Sequence, residues 1–288
     1  MRRFWVNLFA GSTILGVLVW NLPVPVASAA EGLLLGVPPY LERSEILQRF
    51  HPLADYLAQA LGVPVTLRVA AGYDQHLDFT GRDQLDISFV GPAAYLRLAR
   101  IYGRKPPLAS LGNSEGATFR THIVVATGSD VRSVADLQGR SFAFGHAGAA
   151  SSHLVPKTML HDHGLGLADL ALHRFLGNQD NVAFGVLCGD FDAGAVSDEV
   201  LRKYRDRGLR SLAASDPIPE RLLVASQGLP QGTLDRLRTI LFDMAGSPAG
   251  RQVLAAIQPT ATAFVPVRDD VYRRFGLVLQ AAGPEDGQ

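Results

Sequence analysis

The chain has 288 residues, with 27 basic and 27 acidic side chains, one cysteine and 47% hydrophobic residues. That balance excludes the basic stripe by which proteins grip nucleic acid. A lone cysteine excludes an internal disulfide, so stability must come from a buried core, which this length amply allows.

Met1-Arg2-Arg3 is a short basic start, Phe4 to Trp20 carries no charge, and Ala27-Ser28-Ala29 supplies a small-x-small cleavage pattern. Residues 1–29 therefore read as a cleavable secretory signal peptide. An uncleaved membrane anchor is the alternative, because the apolar run approaches spanning length. No cysteine lies near the site, which excludes a lipid-anchored form. Without residues 1–29 the balance is 25 basic against 27 acidic side chains, formally −2. An export signal without disulfides points to a bacterial periplasm.

Gly32 to Val37 reads as a strand closed by Pro38-Pro39. Ser44 is placed to cap the next segment, where Ile46, Phe50, Leu53, Leu57 and Leu61 recur at helical spacing until Gly62, with Pro52 inside. Val63 to Val69 follows as a strand, Tyr73 to Asp83 as a short helix, and Leu85 to Val90 as a strand. Gly91-Pro92 then opens a helix holding Tyr95 and Leu98. Thr121 to Ala126 is a strand, and Ser133 with Asp136 resembles a capping box. Arg140 to Phe144 is a strand, followed by small residues and a helix to Gly164. Leu172 to Phe175 is a strand, and Asn178-Gln179-Asp180 caps a helix holding Val182 and Val186. Phe191 to Val196 is a buried strand, Asp198 to Arg207 a polar helix stopped by Gly208, and Leu222 to Ala225 a strand. Helices over 233–245, 249–257 and 269–280 complete the chain.

Strands alternating with helices imply parallel sheets covered on both faces. In such sheets ligands sit beyond the carboxyl ends of the strands. The loops after Val37, Val69, Val90, Phe144, Phe175 and Val196 are therefore where a site is expected. The stretch after Phe144, GHAGAASSH, has two readings. It is either a tight turn with Ser151 or Ser152 as an N-cap, or a junction whose bare N–H groups and hydroxyls meet a small anion.

Catalytic patterns are lacking: there is no GxSxG elbow, Walker loop, HExxH or paired CxxC. His161-Asp162-His163 reads as a solvated helix end, since i and i+2 leave on different faces. His51 and His76 read as helix-surface residues, and Cys188 as a buried small apolar one. No metal or other cofactor is expected.

The segments VPPYLERSEILQRFHPLADYLAQALGVPV, GYDQHLDF, LDISFVGPAAY, SVADLQGRSFAFGHAGAASSHLVP and GDFDAGAVSDEV, in that order, resemble the PhnD-type phosphate/phosphite/phosphonate-binding proteins of ABC transporters. The resemblance runs from about residue 33 to about 245. It implies an α/β, type II periplasmic binding protein fold: two lobes with mixed, mainly parallel sheets joined by hinge crossovers. The implied lobes are 30–119 plus 226–288, and 120–225, with ligand held in the cleft between them. The implied ligand residues are Tyr73, Tyr95, Ser151, Ser152, Gln179 and Asp198. The chain departs from the family pattern in five ways, two of them Ala94 where the family has serine and Ser152 where it has glycine. Ala149-Ala150-Ser151 stands where the family has a Ser-Thr-Ser run, Gln179 where it has histidine, and Ser197 where it has tyrosine.

The resemblance implies a non-enzymatic, monomeric solute-binding protein that captures a small oxyanion and hands it to an ABC permease. The alternative is a ligand-sensing subunit signalling to a membrane histidine kinase, with Cys188 as a conceivable metalloid ligand. A hydrolase using His146 or His153 near Ser151 lacks a positioned base and its orienting partner.

Overall fold

The computed structural model describes residue 1 and residues 32–281, apart from residue 115. Met1 aside, the expected signal segment lies outside the described residues. No helix of the described residues is long and apolar enough to cross a membrane.

In chain order the elements begin with β1 (Leu33–Val37), α1 (Arg43–Leu61), β2 (Val65–Val69), α2 (Tyr73–Gly81), β3 (Ile87–Val90) and α3 (Pro92–Ile101). Next come β4 (Pro107–Gly112), β5 (Thr118–Phe119), β6 (Thr121–Ala126), β7 (Ser141–Phe144), α4 (Val155–Asp162) and β8 (Leu172–Phe175). The middle continues with α5 (Gln179–Leu187), β9 (Ala193–Ser197), α6 (Asp198–Tyr204), β10 (Leu209–Ala214) and β11 (Ile218–Pro219). Last are β12 (Leu222–Ala225), α7 (Gln231–Asp243), α8 (Pro248–Ile257), β13 (Ala263–Val265) and α9 (Asp269–Ala281).

Two sheets organise these strands, with orders β13-β4-β12-β3-β1-β2 and β10-β6-β9-β7-β8. Four pairings within them are parallel and five antiparallel. The expected parallel majority is thus replaced by a near-even mixture. The reason is topological: every antiparallel pair includes β4, β6 or β12, strands that flank the two passages of chain between the sheets. Those passages pair with each other, Ile218 opposite Phe119 and Pro219 opposite Thr118, so that β5 and β11 form a short ribbon.

Local chemistry accounts for most boundaries. In α1, Ile46, Phe50, Leu53, Leu57 and Leu61 form the buried face. Fully burying each contributes about 1.5–3 kcal/mol. Gly62 ends the helix at φ 76°, a left-handed conformation that suits glycine. Ser44 is not its cap: Glu42 holds that position without a side-chain bond. The Ser133–Asp136 capping box forms, but on a single 3₁₀ turn. Asn178 caps α5 by accepting the Asn181 N–H.

Two side chains differ from expectation. Cys188 is exposed, because it lies just past the last turn of α5 with only its N–H tied back to Phe184. His76 is buried, because the face of α2 that carries Leu77 and Thr80 turns inward. Its Nε2 lies 3.0 Å from the Phe89 carbonyl, so it carries the proton, and Nδ1 has no partner. Burial lowers its pKa to about 4. The unfolded imidazole titrates near 6.5. Stability is therefore intact above pH 6.5 and falls as pH drops toward 4, by about 2 kcal/mol between pH 7.5 and 5. Urea unfolding should show that loss, and His76→Gln should flatten it; identical pH slopes in the two proteins would disprove the assignment.

Candidate functional site

Beyond the strand ends, a cavity of about 30 Å³ separates the two sheets, roughly the liquid volume of one water. Pro38 and Tyr40 reach it from the end of β1, Tyr73 from the start of α2, and Gly91 to Ala94 from the turn into α3. Gly148, Ala149, Ala150 and Ser151 reach it from the turn after β7, while Phe119 and Arg221 come from the two passages. Four of the six expected loops thus contribute walls. A larger groove of about 950 Å³ runs beside β1 and α7 at the edge of the described chain. Its charged residues, Asp86 and Arg236, are bonded to backbone at Leu34 and Ala60.

The turn after β7 is shaped by close approach. A Cβ at Gly145 would stand 2.3 Å from Ser152 Oγ, so a side chain there would force the turn open. The Gly145 N–H donates to the Ser152 carbonyl at 3.0 Å, and its own carbonyl accepts from Gly177 at 2.8 Å. Residues Ala150–Leu154 then form one π-helical turn in place of the expected α-helical start. Leu154 and Val155 donate back five residues, to Ala149 and Ala150. No described group accepts from the N–H of Ala150, Ser151 or Ser152, the usual condition of a helix's first turn. Such turns collect at functional sites.

Behind the turn, Gln179 is held by both ends of its amide. Its Oε1 accepts the Ser197 N–H at 2.6 Å. A backbone N–H can only donate, so that bond fixes the amide's orientation and leaves Nε2 to donate to Ser151 Oγ at 3.1 Å. Ser151 Oγ is thereby an acceptor toward the protein, and its own hydrogen is free to donate into the cavity it lines. Gln179 positions Ser151; it is not itself part of the wall.

The two sides meet in a stack. Tyr73 at the head of α2 lies on His146 of the β7 turn, with centroids 4.4 Å apart and planes at 17°. His146 Nδ1 accepts the Gly148 N–H at 3.1 Å, so the ring's proton sits on Nε2. Burial, only partly offset by Asp74, holds the His146 pKa below its usual value. Burial also pushes the Tyr73 hydroxyl up to about 12, against the nearby Arg221 charge, so it remains a neutral donor.

Other expected ligand residues lie elsewhere. Tyr95 donates to Asp269 at 2.9 Å and packs edge-on against Tyr272 at 5.2 Å, away from the cavity. Ser152 is buried beneath the turn against Gly145. Ser197 caps α6, and the Asp198 carboxylate in its first turn accepts the Glu199 N–H and takes Arg202 at 3.3 Å. Cys188, His161 and His163 do not line the cavity. Among the described residues no group of three or more His, Cys, Asp or Glu is placed to hold a metal. Tyr40, Phe119 and Arg221 escape the sequence reading. The strand-end rule could have flagged Tyr40, but no local pattern marks the other two.

A family model for periplasmic phosphonate substrate-binding proteins of ABC transporters matches residues 35–272. The phosphate-import protein PhnD of Mycolicibacterium smegmatis is 26% identical over 238 residues, 75% of this chain and 74% of that one. PhnD1 of Prochlorococcus marinus, solved with methylphosphonate, superposes with TM-score 0.79 at 18% identity, covering 87% of this chain and 97% of that one. A Xanthomonas citri protein bound to chloride superposes with TM-score 0.72 at 22% identity, covering 87% and 98%.

Proposed function

The chain belongs to the family of periplasmic phosphonate-binding proteins that serve ABC transporters, and from that membership we propose that its inter-sheet cavity captures a small tetrahedral oxyanion of the phosphonate, phosphite or phosphate class. The observation that carries this reading is the Ser151 hydroxyl, turned by Gln179 to donate beside the unbonded amides of Ala150 and Ser151. Hydrogen bonds from such donors to a charged ligand contribute about 1.5–3 kcal/mol each.

A tetrahedral oxyanion has more heavy atoms than one water, so the walls must part to admit it. Residues 32–117 plus 222–281 and residues 120–217 would move as two lobes about the β5–β11 ribbon, in the hinge manner of binding proteins. The boundary expected near 225 falls before β12 instead, because Leu222–Ala225 pairs with β3 and β4 in the first sheet. The Tyr73–His146 stack is the latch between them, since it joins α2 to the β7 turn. Residues 1–29 would act as the export segment, and the loaded protein would dock as a monomer on its permease. The sensing alternative gains nothing from Cys188, which lies off the cavity wall.

Calorimetric titration of the purified protein with methylphosphonate, phosphite, phosphate, a sulfonate and acetate tests the ligand class. Heat and thermal stabilisation with one of the first three are expected; silence from all five rejects the reading. Tyr73→Ala should weaken binding at least tenfold, while His161→Ala and His163→Ala leave it unchanged. Equal losses at all three positions would show that the site lies elsewhere.

A further inference from the structure

The cavity holds a cationic group that the family's hydroxyl pattern does not involve. Arg221 lies between β11 and β12, its carbonyl accepting from Leu111 at 2.9 Å and its N–H bound to the Glu220 carboxylate at 2.8 Å. Its side chain is only 9% exposed. The guanidinium carbon sits 4.8 Å from the Tyr40 ring and 5.2 Å from the Phe119 ring, contacts that favour a cation. All three residues line the same cavity as Ala149, Ala150 and Ser151.

The guanidinium is under-used. Nη1 lies 3.4 Å from Gln258 Oε1 and 3.5 Å from Glu220. No described residue accepts from Nε or Nη2. Arg221 lines the cavity, and its planar fork matches two oxygens of an oxyanion. Nearby negative charge is shared: Glu220 pairs with Nη1 alone and leaves the Nε and Nη2 edge of the guanidinium open. Glu199 is paired with Arg49, and Glu220 takes the Arg221 N–H and Gln258 Nε2. Burial also raises the Glu220 pKa, against the pull of Arg221, so its ionised form is less favoured than usual.

We propose that Arg221 is the principal anion-binding residue of the cavity, a guanidinium clamp that replaces the hydroxyls absent at Ala149 and Ala150. This rests on the oxyanion-binding reading above. Because Arg221 and Phe119 sit on the two passages between the sheets, the ligand's charge is met at the floor of the cleft, where movement of the walls does not displace the partner.

The test compares methylphosphonate and phosphate titrations of the wild type, Arg221→Lys, and the double variant Arg221→Met with Glu220→Gln. The double variant keeps an apolar stem between the rings and leaves no buried charge alone. With its melting temperature near that of the wild type, it should bind about 10²–10⁴-fold more weakly, the loss of two charge-assisted bonds. Arg221→Lys should recover part of that affinity but not all, since a point charge replaces a fork. Double-variant affinity within twofold of the wild type overturns the clamp while leaving the oxyanion reading intact. A wild type that binds none of the anions overturns both. If the double variant does not fold, Arg221→Lys decides: affinity equal to the wild type overturns the clamp, and a tenfold or greater loss supports it.

Discussion

Ala149→Ser combined with Ala150→Thr is expected to tighten methylphosphonate binding by at least about 10²-fold, two further bonds to a charged ligand at about 1.5 kcal/mol or more each. Both alanines line the cavity beside Ser151, and each is nearly buried, at 5% and 6% exposure. A hydroxyl there would face the ligand and not bulk water. The amides that follow them are already unbonded, so the new groups would add to an existing donor set without displacing one. The gain should also persist in Arg221→Lys, because hydroxyls and guanidinium approach from different segments. Titration calorimetry measures both effects; no gain, or a loss, would mean that this turn does not contact the anion.

Gln179→Leu should be among the most damaging single changes near the site. It keeps volume but strands the Ser197 N–H and removes the donor to Ser151 Oγ. Both groups are buried, and an unsatisfied buried polar group costs about 1–3 kcal/mol. A total of about 2–5 kcal/mol corresponds to a melting temperature lower by roughly 5–15 °C in a protein of this size. Affinity should fall as well, since Ser151 loses the partner that orients it. Ser151→Ala provides the comparison: it should cost affinity with a smaller loss of stability. If Gln179→Leu melts within 2 °C of the wild type, the amide bridge is not the support described.

Elements with a strong local signal were read closely from the sequence. The α1 stripe, the Gly91-Pro92 helix start and the Asn178 cap are short-range features, visible in any window that contains them. The missed strands lack such a signal. All but the first residue of β4 is buried, so apolar and polar residues do not alternate along it, and the Pro106-Pro107 pair at its start reads as a loop. β13 has three residues, too few to show a period. For the site, Ser151 was legible because it follows a strand end in a β/α pattern. Tyr73 and Tyr95 were both placed by family motifs: Tyr73 lines the cavity, whereas the Tyr95 hydroxyl is taken by Asp269, 174 residues later.

Sequence alone determined that this chain builds two β/α runs and turns a glycine-alanine-serine junction into a helix start, because periodicity, caps and glycine requirements act over a few residues. Only the tertiary structure decided what faces that junction. Arg221, Tyr40 and Phe119 are far apart along the chain, and their meeting depends on how the two passages pair and where β12 enters its sheet. Hydrogen-bond direction was decided there too: one backbone N–H at Ser197 orients Gln179 and, through it, the Ser151 hydroxyl. Side-chain pattern records which residues prefer to be buried, but the partner each finds is a property of the assembled core.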